Sequence, residues 1–283
     1  LIHLAQFSGG KDSTAMLLWL KEQGIEFTAV FCDTGWEHPL TYAYIEEINQ
    51  TILDGQLVVL RTPDWDGFRG LVLSKGVFPR RVMRFCTEKL KLEPLWAYIE
   101  ALNDEVETFL GERAEESAAR AAKPTRQWVE EAGGYWINRP IHNWSSAQVF
   151  EIHKRHGIKP NPLYLMGAGR VGCWPCAFIS KRELKALLKS TPEIKDRLRE
   201  LEAQMQIVIE ARQAQGELEF SGNSFFSVGY IPARFCSRHI ATKTGTASVP
   251  TCDDVFRYLE STDENQLPLL ETPKCMSIYN LCE

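Results

Sequence analysis

Six residues near the start, Ser8-Gly9-Gly10-Lys11-Asp12-Ser13, constrain this chain more than any other feature. They follow an apolar run, Leu1 to Phe7, and precede a helical pattern from Thr14 to Gln23. A strand, a glycine turn and a helix start in that order form an anion cradle. The glycines let the backbone turn so that several N–H groups converge. Ser8 and Ser13 add hydroxyls, Lys11 adds charge, and the helix start adds its partial positive end. The natural guest is a phosphate or sulfate. The spacing Gly-x-x-x-x-Gly-Lys-Ser/Thr is absent, so this is not a Walker A loop.

The surrounding pattern supports such a cradle. Apolar runs at Leu1–Phe7, Glu26–Cys32, Gln56–Arg61, Val106–Gly111 and Tyr135–Asn138 alternate with helical stretches at 12–23, 39–50, 87–102 and 145–156. This alternation predicts an α/β fold, a parallel twisted sheet flanked by helices, with ligands at the carboxyl ends of the strands. Pro94 is expected to break or kink the third helix. The second half reads differently, with helices at 181–189 and 192–213, the latter carrying a stripe of Leu198, Leu201, Met205 and Val208, and poor patterning from Gly216 to Pro250. A nucleotide-binding domain over 1–165 and a helical, cysteine-bearing region over 166–283 are expected. The 283 residues suit one large domain or one domain plus an appendage. The longest early apolar run, Ala15–Leu20, is too short to span a bilayer. With no signal peptide ahead of the first strand, a cytoplasmic location is expected.

Net charge is −5, which argues against a protein whose main task is to coat nucleic acid. A local basic stretch, Arg80, Arg81, Arg84, Lys89 and Lys91, leaves open either a solvated face or an anion or nucleic-acid groove. Eight cysteines in a reducing compartment point to metal binding or redox chemistry rather than disulfides. Cys86 stands among basic residues, which favour its thiolate. Cys173-Trp174-Pro175-Cys176 is a Cys-x-x-Cys turn that aims two sulfurs at one centre. A metal or iron–sulfur site needs four such ligands. Cys86 can supply a third thiolate. Cys275 and Cys282 compete for the fourth place, with Cys236 behind them.

Further motifs sit where a parallel sheet would present them to the first loop. Asp33-Thr34-Gly35-Trp36 ends the second strand, where a carboxylate can accept from a ribose hydroxyl or an adenine amine and Trp36 can cover a base. After the strand at 106–111 comes Gly111-Glu112-Arg113-Ala114-Glu115-Glu116-Ser117-Ala118-Ala119-Arg120. Arg113 and Arg120 suit bidentate phosphate contact. Glu112 and Glu115 could orient them or hold Mg²⁺.

Together these segments resemble the adenine-nucleotide α-hydrolases with a PP-loop, the superfamily of PAPS reductases and ATP pyrophosphatases. Ser8–Ser13 resembles the PP-loop. Asp33–Trp36, continuing through Glu37, His38, Pro39 and Thr41, resembles the second nucleotide-binding element of PAPS reductases. Gly111–Arg120 resembles their phosphate-binding segment. Cys86-Thr87-Glu88-Lys89-Leu90-Lys91 is similar to a cluster-cysteine segment of APS reductases and more so to the DNA-phosphorothioation ATP pyrophosphatases. The resemblance implies an enzyme that binds ATP, APS or PAPS on Ser8, Gly9, Gly10, Lys11, Asp12, Ser13, Asp33, Thr34, Trp36, Lys89, Gly111, Glu112, Arg113, Glu115, Ser117 and Arg120. Lys11, Asp12 and Arg113 are the expected catalytic groups. It favours a 4Fe-4S cluster over zinc on Cys86, Cys173, Cys176 and Cys275 or Cys282. The leading activity is cleavage of ATP at the α-phosphate to AMP and pyrophosphate, in a sulfur-transfer or modification pathway, with a sulfur donor or a modification-complex protein as partner. A sulfonucleotide reductase giving sulfite is the alternative, although the C-terminal Glu-Cys-Gly-Leu-His string of thiol-dependent PAPS reductases is missing. A non-catalytic nucleotide-binding partner of a larger complex is the third reading.

Overall fold

The structure is a computed structural model that describes residues 1–217, 224–242 and 245–262. In chain order the elements are β1 (Ile2–Gln6), α1 (Lys11–Glu22), β2 (Thr28–Cys32), α2 (Pro39–Thr51), β3 (Val58–Leu60), α3 (Gly67–Lys75), α4 (Phe85–Thr87), a π-helical turn (Glu88–Leu92), α5 (Glu93–Leu102), β4 (Val106–Leu110), α6 (Ala118–Ala121), β5 (Arg126–Val129), β6 (Tyr135–Asn138), α7 (Ser146–Arg155), α8 (Lys181–Ser190), α9 (Ile194–Ala214), β7 (Arg238–Thr242), β8 (Gly245–Val249) and α10 (Cys252–Ser261). No helix among the described residues is long and apolar enough to cross a membrane.

Contacts divide the described chain into two units, 1–67 with 87–174, and 68–86 with the described part of 175–274. The first holds a six-stranded sheet in the order β3-β2-β1-β4-β6-β5. All pairings are parallel except β5 with β6. The period-2 alternation of side chains sorts each central strand between two cores. Ala5, Phe31 and Phe109 pack on one side with Met16 and Leu17 of α1, Ile45 and Ile48 of α2, and Val149 and Ile152 of α7. Leu4, Val30, Val106 and Leu110 pack on the other with Leu95 and Ile99 of α5. Burial on both faces explains why these strands read as nearly continuous apolar runs. The expected parallel sheet with flanking helices is the observed architecture. Strand β5 was not legible, because its edge position leaves Arg126 and Trp128 exposed and removes the apolar alternation. Pro94 does not end the helix. It follows the π-helical turn, where the hydrogen-bond ladder is already interrupted and a missing N–H costs less.

The second unit takes in Phe68–Cys86, a stretch that the sequence assigned to the first domain. Aromatic packing is the reason: Phe68 and Phe78 both meet Phe225 edge-on, with ring centroids 6.5 and 5.6 Å away, and Phe225 meets Phe226 at 5.2 Å. The α9 stripe buries Leu198, Leu201 and Met205 as expected but continues to Ile209 rather than Val208. Glu202 on the same helix accepts from Ser224 Oγ and from the Phe225 and Cys252 amides, tying the aromatic segment to α10. The β7–β8 hairpin lies in the stretch whose patterning is poor. Cys236, just ahead of the hairpin, and Cys252, the first residue of α10, are buried, and burial pushes both thiols up.

Candidate active site

The first unit has a crevice where β1, β2 and β4 end. It lies at the switch point where the connections from β1 and β4 diverge, the usual ligand position of such sheets. Its walls are Gln6, Phe7, Ser8, Ser13, Val30, Phe31, Cys32, Glu37, Lys91, Leu110, Gly111, Glu112, Arg120 and Gly172.

Local geometry makes the β1–α1 loop a preformed cradle. Gly9 has φ +78°, and a Cβ there would stand 3.0 Å from Ile45 Cγ1 and 3.1 Å from Thr41 Cγ2, so only glycine fits well. Ser13 Oγ binds the Ser8 hydroxyl at 3.1 Å, accepts from the Ser8 amide at 3.3 Å and lies 3.1 Å from the Gly10 carbonyl. Thr14 Oγ1 donates to that carbonyl at 2.9 Å. From the far side, fully buried Asn161 donates to the Gly9 carbonyl at 3.2 Å, and Tyr164 accepts from the Lys11 amide at 3.1 Å. His153 Nε2 donates to the Lys11 carbonyl at 2.8 Å, and burial holds this imidazole below the ordinary histidine range. Yet the N-terminus of α1 has Gly10 as its cap residue and no side-chain cap. Its first amide is taken by Tyr164, and a helix end of this kind beside a crevice is a ready anion site. The Gln6 side-chain nitrogen, also in the crevice wall, is buried and makes no hydrogen bond among the described residues. Such an unspent donor costs about 1–3 kcal/mol until something accepts from it.

The expected catalytic trio is joined by a single carboxylate. Buried Asp12 pairs with both Lys11 Nζ and Arg113 Nε. Arg113 directs three further donors at Glu115 at 2.5 Å, the Trp144 carbonyl at 3.2 Å and Ser146 Oγ at 3.3 Å. Only 3% of its side chain is exposed. Arg113 therefore clamps α1 to the start of α7, and Glu115, which also accepts from the Ser146 amide at 2.7 Å, completes the clamp. Ser117 caps α6 by accepting from the Arg120 amide. Glu112 is surrounded by Lys123 at 2.6 Å, Arg139 at 2.8 Å and Arg120 at 3.3 Å. Arg120 also pairs with Glu116 and lines the crevice. Gly111 is required by close approach, since a Cβ there would lie 2.6 Å from both Cα and N of Ser13.

The second-strand element is a proton chain. Asp33 accepts from the Gly35 amide at 2.8 Å, Tyr42 at 2.7 Å and Arg61 Nε at 2.7 Å. Burial acts to raise its pKa, but these donors and the guanidinium charge hold the carboxyl below the ordinary range. Glu37 goes the other way. Burial pushes its carboxyl up, and the Asp33 charge adds to that against the pull of Lys91, Thr34 and Tyr42. Thr34 Oγ1 lies 2.6 Å and the Tyr42 hydroxyl 2.9 Å from Glu37. Tyr42 has one proton for two carboxylates, so a protonated Glu37 satisfies the whole set. Trp36 is buried rather than poised over a base, and its carbonyl accepts from the Trp174 amide at 2.7 Å.

Lysine 91, not Lys89, faces the crevice. Lys89 pairs with Glu88 and Glu93 on the helix surface. The π-helical turn over Glu88–Leu92 explains the difference, since each residue advances a helix by about 100° and an extra one per turn re-aims everything after it. Glu37, Lys91, Cys32 and Gln6 are the crevice residues with polar or thiol side chains that the sequence does not mark as sites. Of these, Glu37 and Lys91 sit inside recognisable motifs.

Cysteine 173 reaches the same neighbourhood. Its backbone bridges to Glu37 and its Sγ is 3.7 Å from Thr34 Oγ1. Thiolate chemistry fits a cluster, but no group of three or more His, Cys, Asp or Glu converges on a metal position among the described residues. Cys86 and Cys176 belong to the second unit. Cys275 and Cys282 lie outside the described residues. Asp12, Glu112 and Glu115 are each bound to cations.

Residues 3–178 match the profile of the phosphoadenosine phosphosulfate reductase domain. The chain belongs to that family. It is a family of enzymes with a PP-loop fold, and the matched span contains every crevice residue. An uncharacterized 37.8 kDa protein of Escherichia phage 186 is 35% identical over 242 residues, covering 68% of this chain and 72% of the phage protein. An uncharacterized protein of Methanocaldococcus jannaschii is 33% identical over 197 residues, 68% of this chain, but the chain spans only 39% of that relative. The phosphoadenosine 5′-phosphosulfate reductase of Vibrio vulnificus is 30% identical over 176 residues, 60% of this chain and 64% of the reductase.

Proposed function

We propose that the crevice binds an adenine nucleotide and that this family member directs a nucleophile, water where AMP is the product, onto the α-phosphorus of ATP, so that a new P–O bond forms as the bond to pyrophosphate breaks, in a sulfur-transfer or modification pathway. The observation that carries this reading is the uncapped start of α1, braced from behind by Asn161, Tyr164 and His153, opening beside Lys91, Arg120 and the unspent Gln6 donor. The phosphates would take the helix amides, and Lys91 and Arg120 would meet the charge that develops as pyrophosphate leaves. Glu37, whose carboxyl burial shifts toward the protonated form, would give a proton to the departing oxyanion. Lys11, Asp12 and Arg113 keep the loop in shape while this happens.

The similarity of Cys86–Lys91 and Cys173–Cys176 to ATP pyrophosphatases favours ATP. Identity to a sulfate-nucleotide reductase supports the second reading, in which a thiol attacks the sulfur of APS or PAPS, AMP or PAP leaves, and a second thiol attacks the resulting S-sulfonate, releasing sulfite as a disulfide forms. An iron–sulfur cluster on Cys86, Cys173, Cys176 and Cys275 or Cys282 belongs to both readings. Supplying ATP, APS and PAPS separately and identifying the products decides between them. AMP with pyrophosphate from ATP is expected. Sulfite from APS or PAPS with ATP untouched would install the reductase, and binding of all three without turnover would leave only a nucleotide sensor.

A further inference from the structure

We propose that the second unit carries a site for the phosphates of a single-stranded nucleic acid, built on Arg80, Arg81 and Lys181. These residues surround a pocket of about 520 Å³ whose other walls include Phe178, Val82 and Tyr230. The described lining contains three cations and no Asp or Glu. In a chain of net charge −5, this is a local concentration rather than a reflection of general basicity.

The shape of the site is as specific as its charge. The Arg80 and Met83 backbones bond to each other in both directions, at 3.2 and 2.8 Å, closing a tight turn with Arg81 and Val82 at its tip. Arg80 roots the turn, donating to the Ser224 carbonyl at 2.8 Å and the Pro79 carbonyl at 3.0 Å. The charge of Glu202, which holds Ser224 and Phe225, also acts on Arg80, so Arg80 serves to root the turn while Arg81 and Lys181 carry most of the charge offered to a ligand. At the tip, Arg81 is exposed and Val82 is 98% exposed. Behind it, cations lie over aromatic rings. Lys181 Nζ is 5.6 Å from the Tyr230 centroid, and the Arg84 guanidinium is 4.7 Å from that of Phe178. The Tyr230 hydroxyl is fixed by donating to the Ile179 carbonyl at 3.1 Å.

A free anion would use the three charges but would find nothing to contact at a fully exposed valine. A strand offers phosphates to the cations and bases to the apolar tip and rings, which is how single strands are held without sequence preference. All lining residues belong to the second unit, so the inference does not depend on the nucleotide reading of the first.

The test is fluorescence anisotropy of a labelled single-stranded oligonucleotide of about 20 nucleotides with the full chain, titrated across a salt series. Arg81→Glu with Lys181→Glu should weaken binding by about tenfold or more. It should also flatten the log–log salt slope by about 1.4, at about 0.7 for each lost phosphate contact. Arg81→Glu alone, at a solvent-exposed tip, should give part of the same loss with an unchanged melting curve. Lys11→Ala should leave oligonucleotide affinity intact, which separates this site from the crevice. Wild-type affinity in the double variant would overturn the proposal. So would complete displacement of the oligonucleotide by millimolar inorganic phosphate or ATP, since that would make the pocket a small-anion site.

Discussion

Replacing Gly111 by alanine tests the tightest approach in the candidate active site. A Cβ at 111 would stand 2.6 Å from both Cα and N of Ser13 and 2.7 Å from the Asp12 carbonyl carbon, all of them backbone atoms that no rotamer change can move. Ordinary Cβ contacts begin at 3.4 Å, so the end of β4 and the start of α1 must separate by about 0.8 Å. Overpacking on this scale costs about 1–3 kcal/mol. The displacement is also larger than the roughly 0.5 Å width of the N–H···O distance range, so amides at the α1 start would no longer meet phosphate oxygens as a set. Losing one or two such contacts corresponds to about a tenfold to hundredfold weaker nucleotide affinity. Gly172, in the same crevice wall, is the matched control, because a Cβ there meets nothing within 4 Å. Thermal denaturation and calorimetric titration with ATP read the two effects separately. The expected outcome is a destabilised Gly111→Ala with weak binding and a Gly172→Ala close to wild type. Wild-type stability and affinity in Gly111→Ala would refute the rigid contact between strand and loop, and equal losses in both variants would make it a general property of the crevice.

Other substitutions probe the charges. Glu112→Gln leaves Arg139, which has no exposed side-chain surface, without its counter-ion. Breaking a buried pair of this kind costs about 3–5 kcal/mol, and a melting point lower by about 6 °C or more is expected, whereas an unchanged melting curve would contradict the hub. Burial raises Glu37 above its ordinary value near 4.5, so the native state holds this proton more tightly than the unfolded chain. Wild-type stability should therefore fall as pH rises from about 4.5, and Glu37→Gln should remove that part of the slope; a variant that loses stability relative to wild type across the same window would reverse the sign. Cys32, whose thiol is pushed up to about 12 by burial, should stay unlabelled by iodoacetamide in the folded protein at neutral pH, and mass spectrometry showing it as the first cysteine modified would contradict this. Anaerobically purified protein should be brown and should lose iron on Cys173→Ser; colourless protein holding zinc would replace the cluster.

The sheet was legible because its central strands are buried on both faces, and a run such as Val106–Leu110 has no other way to satisfy its side chains. The cradle was legible because its chemistry is local: two glycines, two hydroxyls and a helix start need no distant partner to be recognised. What escaped was whatever depends on partners far away in the chain. Arg113 looks like a phosphate ligand in a motif, yet its bonds to Asp12 and to Trp144 and Ser146 come from two segments far away in the chain. Glu112 looks like a metal or orienting carboxylate, yet Lys123 and Arg139 close around it. Lys91 was passed over for Lys89 because a π-helical turn leaves no residue pattern of its own.

These misses share a cause that bears on how the crevice would work. A residue that must meet a transient ligand is under different constraints from one that must hold the site still, but both are charged and both cluster near the same loop. Here the conspicuous motif cations divide between the two tasks. Lys11 and Arg113 converge on Asp12 and pin the loop, whereas Arg120 faces the crevice together with Lys91. Neutralising the pinning set should therefore loosen every ligand contact at once and lower stability too. Neutralising Lys91 should leave stability nearly unchanged and weaken the transition state more than the ground state, because its partner charge grows only as the leaving group departs. A Lys91→Met variant that melts like wild type but loses kcat more than it raises KM is the outcome this division requires. A variant that changes only KM would place Lys91 with the binding groups instead.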